Sequence, residues 1–185
     1  MKFLKFFIII FISLTTSIKA DLNKNLINQL EDGGKLIFIR HAYAPGNGDP
    51  NNFNLNDCST QRNLNSLGRK QAKDIGEFFR ENKINIYKVL SSEWCRCKET
   101  ADIAFKDYST NSFLNSFYSS KYAKNKDKQI DALNNYVKKF NNNGNLIFVT
   151  HYVLISEVLN YGASSGEIVI SDKNFNIVGT VEIDY

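Results

Sequence analysis

Two short apolar runs constrain this chain more than any other feature, because each of them leads into one of its only two histidines. The first run, residues 36–39, is followed by Arg40 and His41, and the second, residues 146–150, is followed by His151. A strand buried on both faces of a sheet has such a continuous aliphatic sequence, so the runs predict central strands of a parallel sheet in an α/β fold. Ligands of these sheets bind beyond the carboxyl ends of the strands. We therefore expect both imidazoles at one ligand-binding edge.

The first 20 residues have the pattern of a secretory signal peptide. Lys2 and Lys5 flank a short apolar core at residues 6–12, and the segment ends in the small residue Ala20. That core is shorter than the about 20 apolar residues of a membrane-spanning helix, although an uncleaved anchor is the alternative interpretation. We predict an exported protein, periplasmic or secreted, with a single domain over residues 21–185 and no stable membrane insertion once the leader is removed.

The charge of the chain gives no reason to expect a nucleic-acid partner. The formal net charge is +4, but the leader contributes three lysines and no acid, so the remaining chain is close to neutral. Nucleic-acid binding proteins carry a strongly basic face, which such a balance does not predict. The 165 residues that follow the leader are enough for one domain with its own core.

Cys58, Cys95 and Cys97 are the three cysteines. An exported protein can form disulfides. Side chains two positions apart on a helix point in different directions, so Cys95 and Cys97, which lie on one predicted helix, are poor partners for each other. A bridge from Cys58 to one of them would tie a loop to the rim of the site and leave one thiol free. A zinc site is the competing interpretation, but the ligand spacing is poor.

The elements between the two histidine runs complete an α/β pattern. A long polar loop over residues 42–65 follows the first strand, and a loop of that length in a compact domain is usually functional. Ser92 is the predicted cap of a helix over residues 93–105. The other predicted elements are a helix over residues 66–82, a strand over residues 86–91, a helix ending near residue 140, a helix after His151, and closing strands over residues 167–171 and 176–183.

The residues that follow the three predicted strands point to phosphate chemistry. Arg40 and His41 follow the first strand, His151 follows the third, and Arg96 lies four residues after Ser92 at the end of the second. Arginine forks bind phosphate oxygens in bidentate fashion, and the N-terminus of a helix attracts anions. Two guanidiniums, two imidazoles and a helix N-terminus at one crevice therefore predict a phosphoryl-binding site.

The same residues suggest covalent catalysis. Imidazole is a nucleophile only when it is neutral, and nearby positive charge lowers its pKa below the usual value of about 6.5. Arg40 and Arg96 would keep one histidine neutral, and the second histidine could donate a hydrogen bond to the phosphoryl oxygens in the transition state. A phosphohistidine intermediate would divide the transfer into two easier steps.

With these motifs the chain resembles the histidine phosphatase (phosphoglycerate mutase-like) superfamily. The resemblance covers about residues 35–185 and implies a three-layer α/β/α sandwich with a mostly parallel central sheet. It also implies that His41 is the phosphorylated nucleophile, that Arg40 and Arg96 bind phosphate, and that His151 is the second imidazole. The matching motifs, in the order of the family, are Arg40-His41-Ala42, residues 64–72, residues 91–101, and Val149-Thr150-His151.

The chain departs from the family pattern at the proton donor. Relatives have a glutamate after the second arginine or an aspartate directly after the second histidine, whereas Tyr152 follows His151 here and residues 113–117 contain no acid. Asp49, Asp57 or Glu93 could substitute, and each of them also fits an ordinary loop or capping carboxylate. Arg62, in the long loop, is a further candidate for binding phosphate and equally a candidate for a solvated loop arginine.

We predict an exported phosphomonoesterase that acts on a small or envelope-associated phosphate ester, without a metal or other cofactor. A mutase is disfavoured because the chain is short and exported. The alternative is a non-catalytic protein that binds phosphate or a phosphosugar and has lost its proton donor, and a third possibility is a structural envelope domain that binds no phosphate. The physiological substrate and the oligomeric state are not predicted by the sequence.

Overall fold

A computed structural model describes residues 24–185, so the predicted signal peptide lies outside the described residues. Within that range six strands form one sheet in the order β3-β2-β4-β1-β5-β6. Neighbouring strands from β3 to β1 run parallel, while β5 is antiparallel to both β1 and β6. The strands are β1 (Leu36–Arg40), β2 (Ile86–Ser91), β3 (Ser109–Thr110), β4 (Asn145–Thr150), β5 (Ile168–Ser171) and β6 (Ile177–Val181).

The two histidine-bearing strands lie side by side, as predicted. In the parallel pairing of β1 with β4, Arg40 is opposite Thr150. The next amide along the chain, His41 N, donates to the Thr150 carbonyl at 2.9 Å. Because both chains leave the sheet at the same level and in the same direction, the two histidines emerge at the same edge.

Helices cover both faces of this sheet. Residues 24–32 are helical and are here called α1. No helix among the described residues is long and apolar enough to cross a membrane. The further helices are α2 (Ser66–Glu81), α3 (Cys95–Phe105), α4 (Ser120–Ala123), α5 (Lys126–Lys139) and α6 (Tyr152–Leu159), with short 3-10 helices at Cys58–Thr60 and Ser112–Leu114.

Alternating side chains of the central strands build two separate cores. In β1, Leu36 and Phe38 face a cluster that includes residues of α5 and α6, while Ile37 and Ile39 face a cluster that includes residues of α1, α2 and α3. All four side chains are fully buried. This arrangement confirms the predicted three-layer α/β/α sandwich with a mostly parallel sheet.

The start of α3 differs from its prediction. The helix begins at Cys95 after Trp94, and not at Glu93 after Ser92. The hydroxyl of Ser92 is used elsewhere: it lies 2.9 Å from a ring nitrogen of His151 and 3.0 Å from the side-chain oxygen of Asn115. The same hydroxyl also accepts from the amide of Trp94 at 3.3 Å, one residue before α3 begins.

Candidate active site

His41 has the geometry of a nitrogen nucleophile. Its ring is 2% exposed, and Nδ1 lies 2.8 Å from the carbonyl of Ala42. A carbonyl can only accept a hydrogen bond, so Nδ1 carries the proton and Nε2 keeps its lone pair. Nε2 accepts from Nε of Arg96 at 3.1 Å. Burial and the charge of Arg96 hold the pKa of His41 well below its usual value, so the ring is neutral.

His151 lies next to His41, with 5.6 Å between the ring centroids. Its Nδ1 accepts from an amino group of Arg96 at 3.5 Å, which leaves the proton on Nε2, and Nε2 donates to Ser92 Oγ at 2.9 Å. Ser92 Oγ in turn donates to Asn115 Oδ1. Burial, and then the charge of Arg96, lower the pKa of His151 well below its usual value. To donate to a phosphoryl oxygen as predicted, this ring has to take up a proton on Nδ1, and a phosphoryl dianion favours that proton.

Arg96 connects the groups of the site. Its side chain is 4% exposed and contacts both imidazoles. Its two terminal nitrogens bind the carboxylate of Asp49 at 2.7 and 3.3 Å. One planar group therefore fixes the nucleophile, the second imidazole and an acid from the long loop relative to one another.

Arg40 lines the same cavity from the end of β1. One terminal nitrogen donates to the carbonyl of Ala163 at 2.8 Å, and the guanidinium lies 5.5 Å from the ring centroid of Tyr152. Its Nε is buried, and among the described residues it has no hydrogen-bond partner. A buried N–H donor without a partner is costly, so an anion that binds there would satisfy it.

The long loop after β1 forms one wall of the cavity, as predicted. Arg62 is anchored by its own guanidinium, which donates to the carbonyls of Gly48 (2.9 Å) and Ala44. Burial lowers the pKa of Arg62 to about 10, so the side chain stays charged at neutral pH. The residues of the loop that line the cavity are 46–51, Phe53 and Arg62.

A motif on α2 and one on α3 hold the turn after His41 in place. Thr100 Oγ1 accepts from the amide of Ala42 at 3.0 Å, and Gln71 Oε1 accepts from the amide of Tyr43 at 2.8 Å. Gly68 is required because a Cβ there would lie 1.9 Å from the carbonyl of Tyr43. These contacts position the nucleophile through its backbone.

At α3, other groups of the protein bind part of the helix N-terminus that the sequence predicts as an anion site. The amides that lead into this helix already have partners within the protein: Glu93 N donates to Asn115 Oδ1, Trp94 N to Ser92 Oγ, and Cys95 N to Gln61 Oε1. Side chains satisfy these donors, so they are not directed at a ligand. In this region Arg96 supplies the positive charge.

These groups open into a cavity of about 940 Å³. The second wall of the cavity comes from the segment between β3 and α5, for which the sequence predicts no role. The lining residues from that segment are Ser116 and residues 118–122. Trp94, Phe53 and Tyr122 pack against one another at centroid distances of 5.1 to 5.8 Å, and all three line the cavity.

Solved structures with the same fold include proteins named as a phosphoglycerate mutase and as phosphatases. Phosphoglycerate mutase from Thermus thermophilus is 16% identical, with a TM-score of 0.56, over 81% of this chain and 99% of that chain. The protein histidine phosphatase SixA is 14% identical (TM-score 0.51, 81% and 96%), and a mycobacterial glucosyl-3-phosphoglycerate phosphatase is 13% identical (TM-score 0.54, 75% and 92%). These likenesses establish the fold. No curated protein gives a significant match to the chain.

A family model described as histidine phosphatase superfamily (branch 1) matches residues 36–115. This stretch contains Arg40, His41 and Arg96, which the structure brings together. The predicted resemblance to the histidine phosphatase superfamily is confirmed. The match supports an enzyme of the phosphatase or mutase type.

Cys97 is excluded as an alternative nucleophile of this site. The structure pairs Cys58 with Cys95, which leaves Cys97 as the buried free thiol. Its Sγ lies 3.6 Å from the Thr150 carbonyl, and burial raises its pKa to about 12. Since only a thiolate attacks phosphorus effectively, a thiol with this pKa is inert.

The three acids that are candidates for the proton donor differ in whether they line the cavity. Asp49 lines the cavity. Asp57 is exposed and caps the first 3-10 helix by accepting from Ser59 N, and Glu93 accepts from Asn115 Nδ2 at 2.6 Å. Neither Asp57 nor Glu93 lines the cavity.

Sequence reasoning missed the residues that support this site. Asn115 and Gln61 were not assigned roles, although their amides hold the segment before α3. The aromatic wall around Trp94 was also not predicted. A signal was present for Gln61 alone, since it lies directly beside Arg62 in a loop already assigned to the site.

Proposed function

We propose that this protein is a phosphomonoesterase that acts through a phosphohistidine at His41. The observation that carries the proposal is the neutral, buried ring of His41, whose Nε2 lone pair lies against the guanidinium of Arg96. This contact places the attacking nitrogen directly beside the guanidinium that would bind the phosphoryl oxygens.

In the proposed first step, His41 Nε2 attacks phosphorus, and the bond from phosphorus to the leaving oxygen breaks. Arg96 and Arg40 bind the phosphoryl oxygens and stabilise their charge in the transition state. In the second step, water attacks phosphorus, the bond to Nε2 breaks, and inorganic phosphate leaves. Every group that this scheme requires belongs to side chains, and no step passes through a metal.

The cavity supports a small-molecule ester as the substrate. About 940 Å³ is a typical volume for a small-molecule site and far exceeds a phosphoryl group, so it accommodates a bulky leaving group as well. Among the structural neighbours, SixA was solved with tungstate and the mycobacterial phosphatase with VO3. Oxyanions in those proteins support a phosphoryl site in this fold.

Export is part of the proposal. The Cys58–Cys95 disulfide supports it, since disulfides form and persist in oxidising compartments. The signal-peptide pattern of residues 1–20 supports it independently. A small or envelope-associated phosphate ester is the substrate that we expect there.

The test is hydrolysis of 4-nitrophenyl phosphate by protein expressed with its leader and purified after processing, in the presence of a chelator. We expect turnover that the chelator does not affect, and a loss of about 10⁴-fold or more in His41→Ala because the covalent route is removed. If phosphate raises the melting temperature but no ester is hydrolysed, the protein is a binder and the proposal is wrong. If phosphate has no effect at all, a structural domain is favoured.

A further inference from the structure

The long loop carries a carboxylate at the place where a phosphatase needs a proton. We propose that Asp49 is the proton donor to the leaving group and, in the second half of the reaction, the base that takes a proton from water. The inference rests on the proposed function. It assigns the proton donor to the long loop, whereas the family pattern has this acid after the second arginine or directly after the second histidine.

Asp49 is bound like a substrate anion. Its carboxylate accepts from both terminal nitrogens of Arg96, from Trp94 Nε1 at 3.0 Å and from Arg62 N at 3.1 Å. Four N–H donors converge on one small anion, and its side chain is still 17% exposed, on the cavity side. Among the described residues that line the cavity, Asp49 is the one acid.

The contacts of Asp49 are ones that a phosphoryl group would also use. Arg96 binds phosphate best through the two terminal nitrogens that hold Asp49, so a bound phosphate competes with this carboxylate. Gly48, which precedes Asp49, has open space around it, with no atom within 4 Å of the position of a Cβ, so a shift of the adjacent carboxylate meets no obstacle there. A displaced Asp49 stays beside the phosphoryl group, because residues 46–51 form the wall of the cavity.

Displacement also changes the proton affinity of Asp49. Burial opposes ionisation of this carboxyl, but its hydrogen bonds and charge interaction with Arg96 outweigh burial and lower its pKa. A phosphoryl group that takes over Arg96 removes that stabilisation and adds a neighbouring negative charge. Both changes favour the protonated acid, which is the form that donates.

Asp49 then accounts for both proton transfers of the reaction. As His41 Nε2 bonds to phosphorus and the ester bond breaks, the leaving oxygen takes the proton of the Asp49 carboxyl. The resulting carboxylate then accepts a proton from the water that attacks phosphorus, as the bond to Nε2 breaks. Ester and water become alcohol and phosphate, and Asp49 ends in its initial state.

The position of Asp49 also sets it apart from the other two candidate acids. Asp57 is exposed and is engaged by Ser59 in its own turn. Glu93 is held by Asn115 and reaches His151 only through Asn115 and Ser92. Neither carboxylate faces the leaving group.

The test compares two aryl esters in Asp49→Asn, with protein expressed with its leader and purified after processing. 4-Nitrophenolate leaves without protonation, whereas phenolate, whose conjugate acid has a pKa of about 10, needs a proton. We expect kcat/KM for phenyl phosphate to fall by about 10²-fold or more, and kcat/KM for 4-nitrophenyl phosphate by less than about tenfold. Asp49→Glu should recover much of the activity on phenyl phosphate. Asp57→Asn is the matched control in the same loop and should leave both esters unchanged.

Inorganic phosphate supplies a second measurement for the same variant. Asp49→Asn removes a competing anion, so it should bind phosphate at least as tightly as the parent protein. Equal losses on both esters with weaker phosphate binding would overturn the inference, because Asp49 would then only position Arg96. No loss on either ester would overturn it as well. If the parent protein hydrolyses neither ester, the proposed function fails, and the inference fails with it.

Discussion

The two sides of the cavity are built in different ways. On the sheet side, His41 and His151 directly follow adjacent parallel strands, and Arg96 lies in the first turn of α3. All three residues are at most 3% exposed. On the loop side, Asp49 and Arg62 are held by individual side-chain contacts and by a disulfide.

This difference gives the two sides of the cavity different roles in the proposed reaction. Buried strands fix the nucleophile and its phosphate-binding arginine before any substrate arrives, which is the condition for electrostatic preorganisation. Tyr118 in the second wall, 71% exposed, and Tyr152 at the start of α6, 45% exposed, present the surface that a leaving group meets. We expect substitutions of His41 or Arg96 to slow the reaction on every ester, and substitutions on the loop side to change stability or, at Asp49, the dependence of the rate on the leaving group.

After the removal of His41 itself, the largest effect should come from Arg96→Lys, which keeps the charge but loses the fork that joins both imidazoles and Asp49. Removing one such transition-state donor typically costs about 10²–10³ in kcat, and we expect a loss of that size on 4-nitrophenyl phosphate. Arg69→Lys is the matched control, because Arg69 is exposed and pairs with Glu99 away from the cavity. A loss below tenfold in Arg96→Lys would contradict a preorganised sheet side.

The loop side should respond to loss of its disulfide. Cys58→Ser opens a loop closed by cysteines 37 residues apart, and we expect the free energy of unfolding to fall by about 2–4 kcal/mol. Chemical denaturation measures this difference. Reductant should lower the melting temperature of the parent protein but not that of a Cys58→Ser/Cys95→Ser variant. Equal sensitivity of both proteins to reductant would show that the disulfide does not stabilise the loop.

Ser92→Ala probes the support of the sheet side. The change removes the acceptor of His151 Nε2–H and a donor to Asn115, and a buried polar group left without its partner costs about 1–3 kcal/mol. Urea unfolding should show a loss in that range. Ser59→Ala, at an exposed position, serves as the control and should change stability by less. Equal losses in the two variants would mean that Ser92 does not hold His151.

The smallest expected effect is a pH dependence of the free energy of unfolding, which arises from the two imidazoles. The folded pKa values of His41 and His151 lie below the unfolded value of about 6.5, so below that pH the unfolded chain binds protons that the folded protein does not. The contribution of each histidine to stability should therefore be fully present above the unfolded pKa and be lost as the pH falls below it. Urea unfolding at pH values above and below that pKa measures the loss. These are the only two histidines, so a His41→Asn/His151→Asn variant should lack the slope.

The sequence predicted the sheet side and much less of the loop side, for a physical reason. Residues 36–41 and 146–151 indicate buried strands and their ends because burial on both faces forces a continuous apolar run. The position of Asp49 against Arg96 depends on how a loop with two prolines and two glycines folds back, and no periodic pattern encodes that path. The sequence therefore named Asp49 as one of three candidate acids without separating it from Asp57 and Glu93.

The same contrast explains the other differences. α3 begins at Cys95 and not at Glu93, and residues distant in the sequence hold the segment before it: Asn115 accepts from Glu93 N, and Gln61 accepts from Cys95 N. The pairing of Cys58 with Cys95 was one of two options that the sequence left open, and the structure decides it through the position of the loop. Local patterns predict elements, whereas these contacts join residues more than 20 positions apart.

The proposed mechanism requires a covalent bond between phosphorus and His41 Nε2. Protein mixed with excess 4-nitrophenyl phosphate, stopped within the first turnovers by alkali, which preserves phosphohistidine, should yield a peptide phosphorylated at residue 41 on mass spectrometry. His41→Asn should yield none, and Arg96→Lys should yield less at the same time point. Hydrolysis that proceeds with no phosphate on His41, or with phosphate on His151 instead, would contradict the account.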